Sequence, residues 1–202
     1  MDKTIVCPDG LKRCRWCASA PEFLRYHDDE WGFPVADDRR LFEKLCLEGF
    51  QSGLSWRTIL AKRENFRAAF CDFDFHQIAN FGDNDVQRLM QDEGIIRHRG
   101  KIEAVINNAR LARLIVEREG SLAAWFWRYE PAPDEVAVPQ TVSTSAASIA
   151  LSRDMKKMGW KFVGPTTVYA FMQAMGLIND HAEHCVTRAS VQQARERFKL
   201  GK

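Results

Sequence analysis

Leu41-Phe42-Glu43-Lys44-Leu45-Cys46-Leu47-Glu48-Gly49-Phe50-Gln51-Ser52-Gly53-Leu54-Ser55-Trp56 repeats its apolar residues at a helical interval. Leu41, Leu45 and Glu48 stand at i, i+4 and i+7, which places them in one stripe of a helix. Leucines in such a stripe build a core. A glutamate in line with them either sits at the stripe's solvent edge or is buried, and a buried carboxylate must find a partner, shift its pKa or face a cavity. Asp37 or Asp38 can cap this helix, which runs to about Gln51 before Gly53 breaks it. Ser55 can cap the next helix, and Trp56 opens it. An acid withdrawn from solvent near a large flat ring suggests a pocket for a planar, electron-poor ligand.

The pattern stays helical in both directions. Pro21 to Glu30 reads as a short helix closed by Gly32 and Pro34. Trp56, Ile59, Leu60, Arg63, Phe66 and Phe70 mark one further helix, and Asp83 starts another that ends at Gly94. His98 to Glu117 carries Ile102, Val105, Ile106, Ala109 and Ala112 on one side, a long amphipathic helix. No stretch alternates with period two, so the expected fold is all-α, a compact helical bundle. Residues 128–144 hold Pro131, Pro133 and Pro139 and no helical stripe, which makes them a connector. Ser143-Thr144-Ser145 can cap a helix through Met158, Gly159 to Pro165 interrupts, and Thr166 to Met175 resumes. The tail after Cys185 is basic and polar and is expected to lie outside the core.

Composition sets the outer bounds. The chain has 202 residues, 46% of them hydrophobic and 11% aromatic, which suits one domain with a sizeable core. A net charge of +2 leaves any basic face local. No apolar run reaches the roughly 20 residues of a membrane span, and Met1 to Pro8 lack the apolar core of a secretion signal, so a cytoplasmic protein without membrane partners is expected. Cys7, Cys14, Cys17, Cys46, Cys71 and Cys185 are irregularly spaced, which fits reduced thiols with some used for metal better than a disulfide scaffold.

Two constellations carry chemistry. Residues 146–176 form two helices joined by a tight turn, in which Gly164 precedes Pro165 at a helix start. The free N–H groups of Gly164, Thr166 and Thr167 would point out of that start, a natural partner for a backbone phosphate, and Lys161 adds charge beside it. This looks like a helix-hairpin-helix element, which grips DNA phosphates without reading sequence, although an ordinary helical hairpin has the same outline. The second constellation lies at the two ends of the chain. His181 and Cys185 are four apart and would face one ion if helical, while Cys14, Cys17 and His27 stand near the N-terminus. One pair from each end makes a closed Cys2His2 zinc site, and such a site is structural. Spacing alone does not choose Cys14 with His27 over Cys14 with Cys17, nor His181 over His184.

Taken together these segments resemble the DNA-3-methyladenine glycosylase I family, a group within the wider helix-hairpin-helix glycosylases. The resemblance covers roughly residues 14–185. It rests on Cys14-Arg15-Trp16, Tyr26-His27-Asp28-Asp29-Glu30-Trp31-Gly32, Leu45-Cys46-Leu47-Glu48, Gly53-Leu54-Ser55-Trp56, the string from Gly94 to Lys101, Lys161-Phe162-Val163-Gly164 and Asn179-Asp180-His181.

The resemblance implies a DNA repair enzyme that flips 3-methyladenine out of alkylated duplex DNA and hydrolyses its glycosidic bond without cutting the strand. It implies zinc on Cys14, His27, His181 and Cys185, with Cys17 and His184 as bystanders. Glu48 corresponds to the family's pocket glutamate, the candidate catalytic and base-binding acid, and Trp56 to its base-stacking tryptophan. Tyr26 and Trp16 match further pocket aromatics, and Phe23 stands where some relatives have a tyrosine. Leu54, after Gly53, is the residue placed to wedge into the DNA, and Lys161, Gly164 and Thr166 fall on the phosphate-facing hairpin. Asp180 is given no role. Residues 1–13 are expected as an extension, 14–185 as the glycosylase domain and 186–202 as a tail. The family also implies a monomer with free 3-methyladenine as its product.

Overall fold

The computed structural model describes residues 2–200. Eleven α-helices account for most of them: α1 (Pro21–Asp29), α2 (Asp38–Gln51), α3 (Trp56–Ala61), α4 (Arg63–Ala69), α5 (Phe75–Ile78), α6 (Asp83–Gln91), α7 (Arg99–Glu119), α8 (Leu122–Phe126), α9 (Ala146–Lys157), α10 (Pro165–Ala174) and α11 (Val186–Arg197). Helix α2 is the axis of the molecule. It packs against α3, α7, α8 and α10, and every residue from Leu41 to Phe50 is buried. Burial on all sides, rather than along one stripe, is why its polar residues Glu43, Lys44 and Glu48 are also enclosed. Asp37 caps the helix by accepting from the Arg40 N–H at 2.8 Å.

The core beneath α2 is aromatic. Phe50 meets Phe66 at 4.6 Å between ring centroids, and Phe70 stacks on Phe73 at 5.7 Å. Gly176, in the left-handed region at φ 80°, lets the end of α10 meet the Phe33–Pro34 backbone. A Cβ there would stand 2.5 Å from the Pro34 nitrogen. The predicted hairpin is present as α9 and α10, with Ser145 capping α9 and Pro165 at the first position of α10. No helix among the described residues is long and apolar enough to cross a membrane.

Four features differ from the sequence reading. A two-stranded antiparallel sheet pairs Thr4–Val6 (β1) with Lys12–Cys14 (β2), in register Thr4 to Cys14. Three-residue strands are too short to show alternation, but the β-branched Thr4-Ile5-Val6 fits one. The helix expected from Trp56 to Phe70 is two helices, because Lys62 leaves helical torsion at ψ 3° and its ammonium reaches the Glu93 and Gly94 carbonyls. Helices α5 and α8, one turn each, carry no readable period. The tail is not outside the core. Helix α11 buries Val191 completely, and Phe198 lies on Trp127 with centroids 4.4 Å apart. Its apolar residues are few and widely spaced, so composition concealed the contact.

Candidate active site and metal centre

A cavity of about 280 Å³ opens where α1, α2, α3 and α10 converge with Gln140 and Val142 of the 128–144 connector. Its aromatic walls are Trp16, Tyr26, Trp31 and Trp56. Its polar lining includes Glu48, Gln140, Gln173 and Asp180. Glu48 keeps 7% of its surface exposed, so the stripe's acid is a buried group bordering a concave surface. The sequence placed Trp16, Tyr26, Glu48 and Trp56 in one pocket, and the structure brings all four to this cavity. Tyr26 and Trp56 are 5.5 Å apart and tilted, and Trp16 packs edge-on against Trp31 at 5.1 Å. Phe23 does not border the cavity. It stands behind Trp16, 5.8 Å away, in a satellite cluster with Cys17 and Ala20.

Sequence reasoning missed the partner of Glu48. Lys44, one turn earlier on α2, places its ammonium 2.7 Å from Glu48 Oε1 and donates to the Tyr26 hydroxyl at 2.7 Å. The same nitrogen lies 3.3 Å from the centre of the Trp56 ring. Burial pulls the Lys44 pKa down, and the Glu48 charge opposes that shift. Burial, followed by the Glu48 charge, holds the Tyr26 phenol well above its ordinary range. An i, i+4 Lys–Glu spacing was visible in the chain, but it is common on exposed helix faces and does not by itself signal a buried pair. Gln140, Gln173 and Asp180 reach the cavity through tertiary folding. The Asp180 carboxylate accepts from the Gln140 N–H at 2.9 Å and from Gln173 Nε2 at 2.7 Å.

The segments flagged as DNA-facing are exposed turns. Gly53 adopts φ 79° directly after α2, and Leu54 at its tip is 43% exposed. Buried Lys101 on α7 fixes this turn by donating to the carbonyls of Phe50 at 2.9 Å and Ser52 at 2.5 Å. Lys161 and Thr166 are exposed at the α9–α10 turn, and Gly164 is the N-cap of α10. Asn108 on α7 holds that turn, accepting from the Lys161 N–H at 2.9 Å and donating to its carbonyl at 3.0 Å.

Cys14, His27, His181 and Cys185 are buried together, with their candidate ligand atoms within 4.8 Å of one another. His181 and Cys185 converge through a turn rather than a helix, because residues 179–184 are non-helical. Cys185 Sγ is 3.4 Å from His27 Nε2 and 3.5 Å from His181 Nδ1, and Cys14 Sγ is 3.7 Å from His181 Nδ1. A tetrahedral ion with bonds of roughly 2.0–2.3 Å has ligand-to-ligand edges of about 3.3–3.8 Å, so the donor set fits one. Each imidazole is oriented from its far side. His27 Nδ1 meets Asp28 Oδ1 at 2.7 Å, and His181 Nε2 meets the Trp31 carbonyl at 2.9 Å. The neighbouring Cys14 thiol, then His181 and His27, hold the Cys185 pKa well below the ordinary thiol range against the cost of burial. Cys17 and His184 are not in the cluster.

The family model described as methyladenine glycosylase matches residues 16–189. The DNA-3-methyladenine glycosylase 1 of Escherichia coli (strain K12) is 49% identical over 180 residues, spanning 87% of this chain and 96% of that protein. The DNA-3-methyladenine glycosylase of Haemophilus influenzae is 44% identical over 88% of this chain and 98% of its own length. A crystal structure of 3-methyladenine DNA glycosylase I superposes with a TM-score of 0.80 at 49% identity, covering 86% of this chain and 98% of that one. A structure of the Staphylococcus aureus 3-methyladenine DNA glycosylase I, determined for the structural basis of 3-methyladenine recognition, gives a TM-score of 0.80 at 36% identity, covering 85% of this chain and 95% of that one. With the family model matching residues 16–189 and a relative 49% identical over 87% of this chain, the chain belongs to the methyladenine glycosylase family.

Proposed function

We propose that the protein is a DNA glycosylase that flips 3-methyladenine out of alkylated duplex DNA and hydrolyses its N-glycosidic bond, leaving the strand intact. The observation that carries this reading is the buried Glu48 carboxylate in an aromatic cavity large enough for one purine. A base inside the duplex cannot reach such a cavity, so it must first leave the stack, at a cost of a few kcal/mol. Leu54, exposed on its turn, fills the gap. The start of α10 faces a phosphate with the N–H groups of Gly164 and Thr166, and Lys161 adds charge, so the hairpin acts as a helix-hairpin-helix clamp.

Methylation at N3 makes the nucleoside base a cation and a good leaving group. Glu48 accepts from the exocyclic amine, and Trp56 and Tyr26 flank the ring. The glycosidic electrons pass to the base, the sugar becomes oxocarbenium-like, and water captures it. Undamaged adenine keeps a stronger bond, so the substrate supplies part of the selectivity. Cys14, His27, His181 and Cys185 would hold zinc, which supplies a structural tie and leaves no position for substrate. The protein acts as a cytoplasmic monomer and releases free 3-methyladenine.

Incubation with methylated duplex DNA, followed by identification of the liberated purines, tests the reading. The expected result is free 3-methyladenine and strands that break only after alkali. Glu48→Gln should fold as the parent does while excision falls about tenfold or more. No released base from the parent protein, or full activity in that variant, would overturn the assignment.

A further inference from the structure

Lys44 places a second positive charge against the groups that would receive a cationic base. Its N–H groups meet the Glu48 carboxylate and the Tyr26 hydroxyl, each at 2.7 Å, and the ammonium covers one face of Trp56. A carboxylate, a phenolic oxygen and a π face are also the partners an alkylated purine would seek. The other carboxylates near Lys44 are engaged elsewhere. Glu30, the residue that follows α1, is held by Arg63 of α4 at 2.6 and 2.9 Å, and Glu43 on α2 is held by Arg67 of α4 at 2.8 Å. A second, smaller cavity beside Lys44 is bordered by Arg40, a further positive charge, and by Ala174 and Met175 at the end of α10. The carboxylate opposite Lys44 is therefore Glu48 alone.

We propose that Lys44 is a resident counter-cation that offsets the charge of Glu48 at this site. Resting on the reading of this cavity as the base site, the proposal concerns which charge state of the base the site favours. Before cleavage the purine carries the positive charge. As the C1′–N9 bond breaks, both electrons go to N9, the purine becomes neutral, and the charge passes to the sugar. Water then bonds to C1′ and loses a proton to solvent. A fixed cation behind Glu48 and Trp56 raises the energy of the charged base more than that of the departing neutral one. Only such a difference between ground and transition state accelerates the step. The Trp56 face under Lys44 is already occupied, so a stacked base has the opposite face, where cation attraction is weakened. Lys44 does not touch the base. It is a positioning residue that acts through Glu48 and Trp56.

Two ligands separate the charge states: free 3-methyladenine in its neutral form, and 3,9-dimethyladeninium, which carries a fixed positive charge. Affinity is read from tryptophan fluorescence. The parent protein should bind the neutral base at least as tightly as the cation. Lys44→Met should shift the ratio toward the cation roughly tenfold or more, since like charges a few ångströms apart interact strongly in a low-dielectric site. The same variant should show a lower KM together with a lower kcat on methylated DNA. Lys44→Gln, which keeps donors for Glu48 and Tyr26, should shift the ratio in the same direction and serves if the methionine variant does not fold. A strong preference for the cation in the parent protein overturns the proposal, as does an unchanged ratio in a folded variant. If neither ligand binds the parent protein, the base-site reading fails, and the proposal falls with it.

Discussion

Glu30 and Arg63 show how single residues tune the ground beneath the site. Burial pushes the Glu30 carboxyl upward, but the Arg63 guanidinium, helped by the charges of Arg40 and Arg67, more than offsets it and holds the group below its ordinary value of 4.5. A depressed carboxylate contributes stability that is present above its unfolded pKa and is lost as pH falls through the folded one. Arg63→Met should therefore lower stability by about 1–2 kcal/mol at neutral pH. The gap should close only once acid has carried the pH below the depressed Glu30 pKa of the parent, where the carboxyl is protonated in both proteins. Thermal melts across that range check it, and a gap that persists in acid would mean the loss comes from packing. At this scale the site was partly legible. Glu48 and Trp56 stood out as an acid in an apolar stripe and a large ring after a helix break, whereas Tyr26 and Trp16 came from the family resemblance. Lys44 did not, because an i, i+4 lysine looks the same whether its neighbour is buried or in water. Phe23 was placed too near the ligand, because a residue one helical turn from the pocket cannot be told from one lining it.

Helix α7 does at the element scale what no single pocket residue can. It sends Lys101 to the end of α2 and Asn108 to the α9–α10 turn, so the two turns proposed to meet DNA are referenced to one rigid rod. Both residues lie in line with Ala104 and Val105, the same sign of a buried polar group that Glu48 gave on α2. Asn108→Ala leaves the Lys161 amide and carbonyl without partners and should cost about 1–3 kcal/mol. Its affinity for duplex DNA should fall while its affinity for the free base stays as in the parent protein. Equal losses for both ligands would mean that the turn and the cavity are not separable. The long helices were legible because their apolar period repeats over several turns. One-turn helices and three-residue strands repeat nothing, and so were missed.

The molecule as a whole is closed by residues from its two ends. The cluster of Cys14, His27, His181 and Cys185 joins segments far apart in the chain: Cys14 Sγ lies against His181 Nδ1, 167 positions away, and accepts from the Ala182 N–H, 168 positions away. Chelation should lower the melting temperature substantially, since structural zinc contributes on the order of 10 kcal/mol. Adding zinc back should restore it, and base release should track the folded fraction rather than the ion. Loss of activity at unchanged fold would instead make the ion a participant in the chemistry. The ligand residues could be nominated from the chain, but their convergence through a non-helical turn depends on long-range packing that no local pattern encodes. The docking of α11 escaped notice for the same reason.

This closure gives synthesis an order. Trp16 and Tyr26 emerge from the ribosome well before the loop bearing His181 and Cys185 that pins their neighbourhood; Cys185 follows its partner His27 by 158 positions. A nascent chain stopped before that loop has every aromatic wall of the cavity but nothing to lock them in place, so competence waits until that loop has been made.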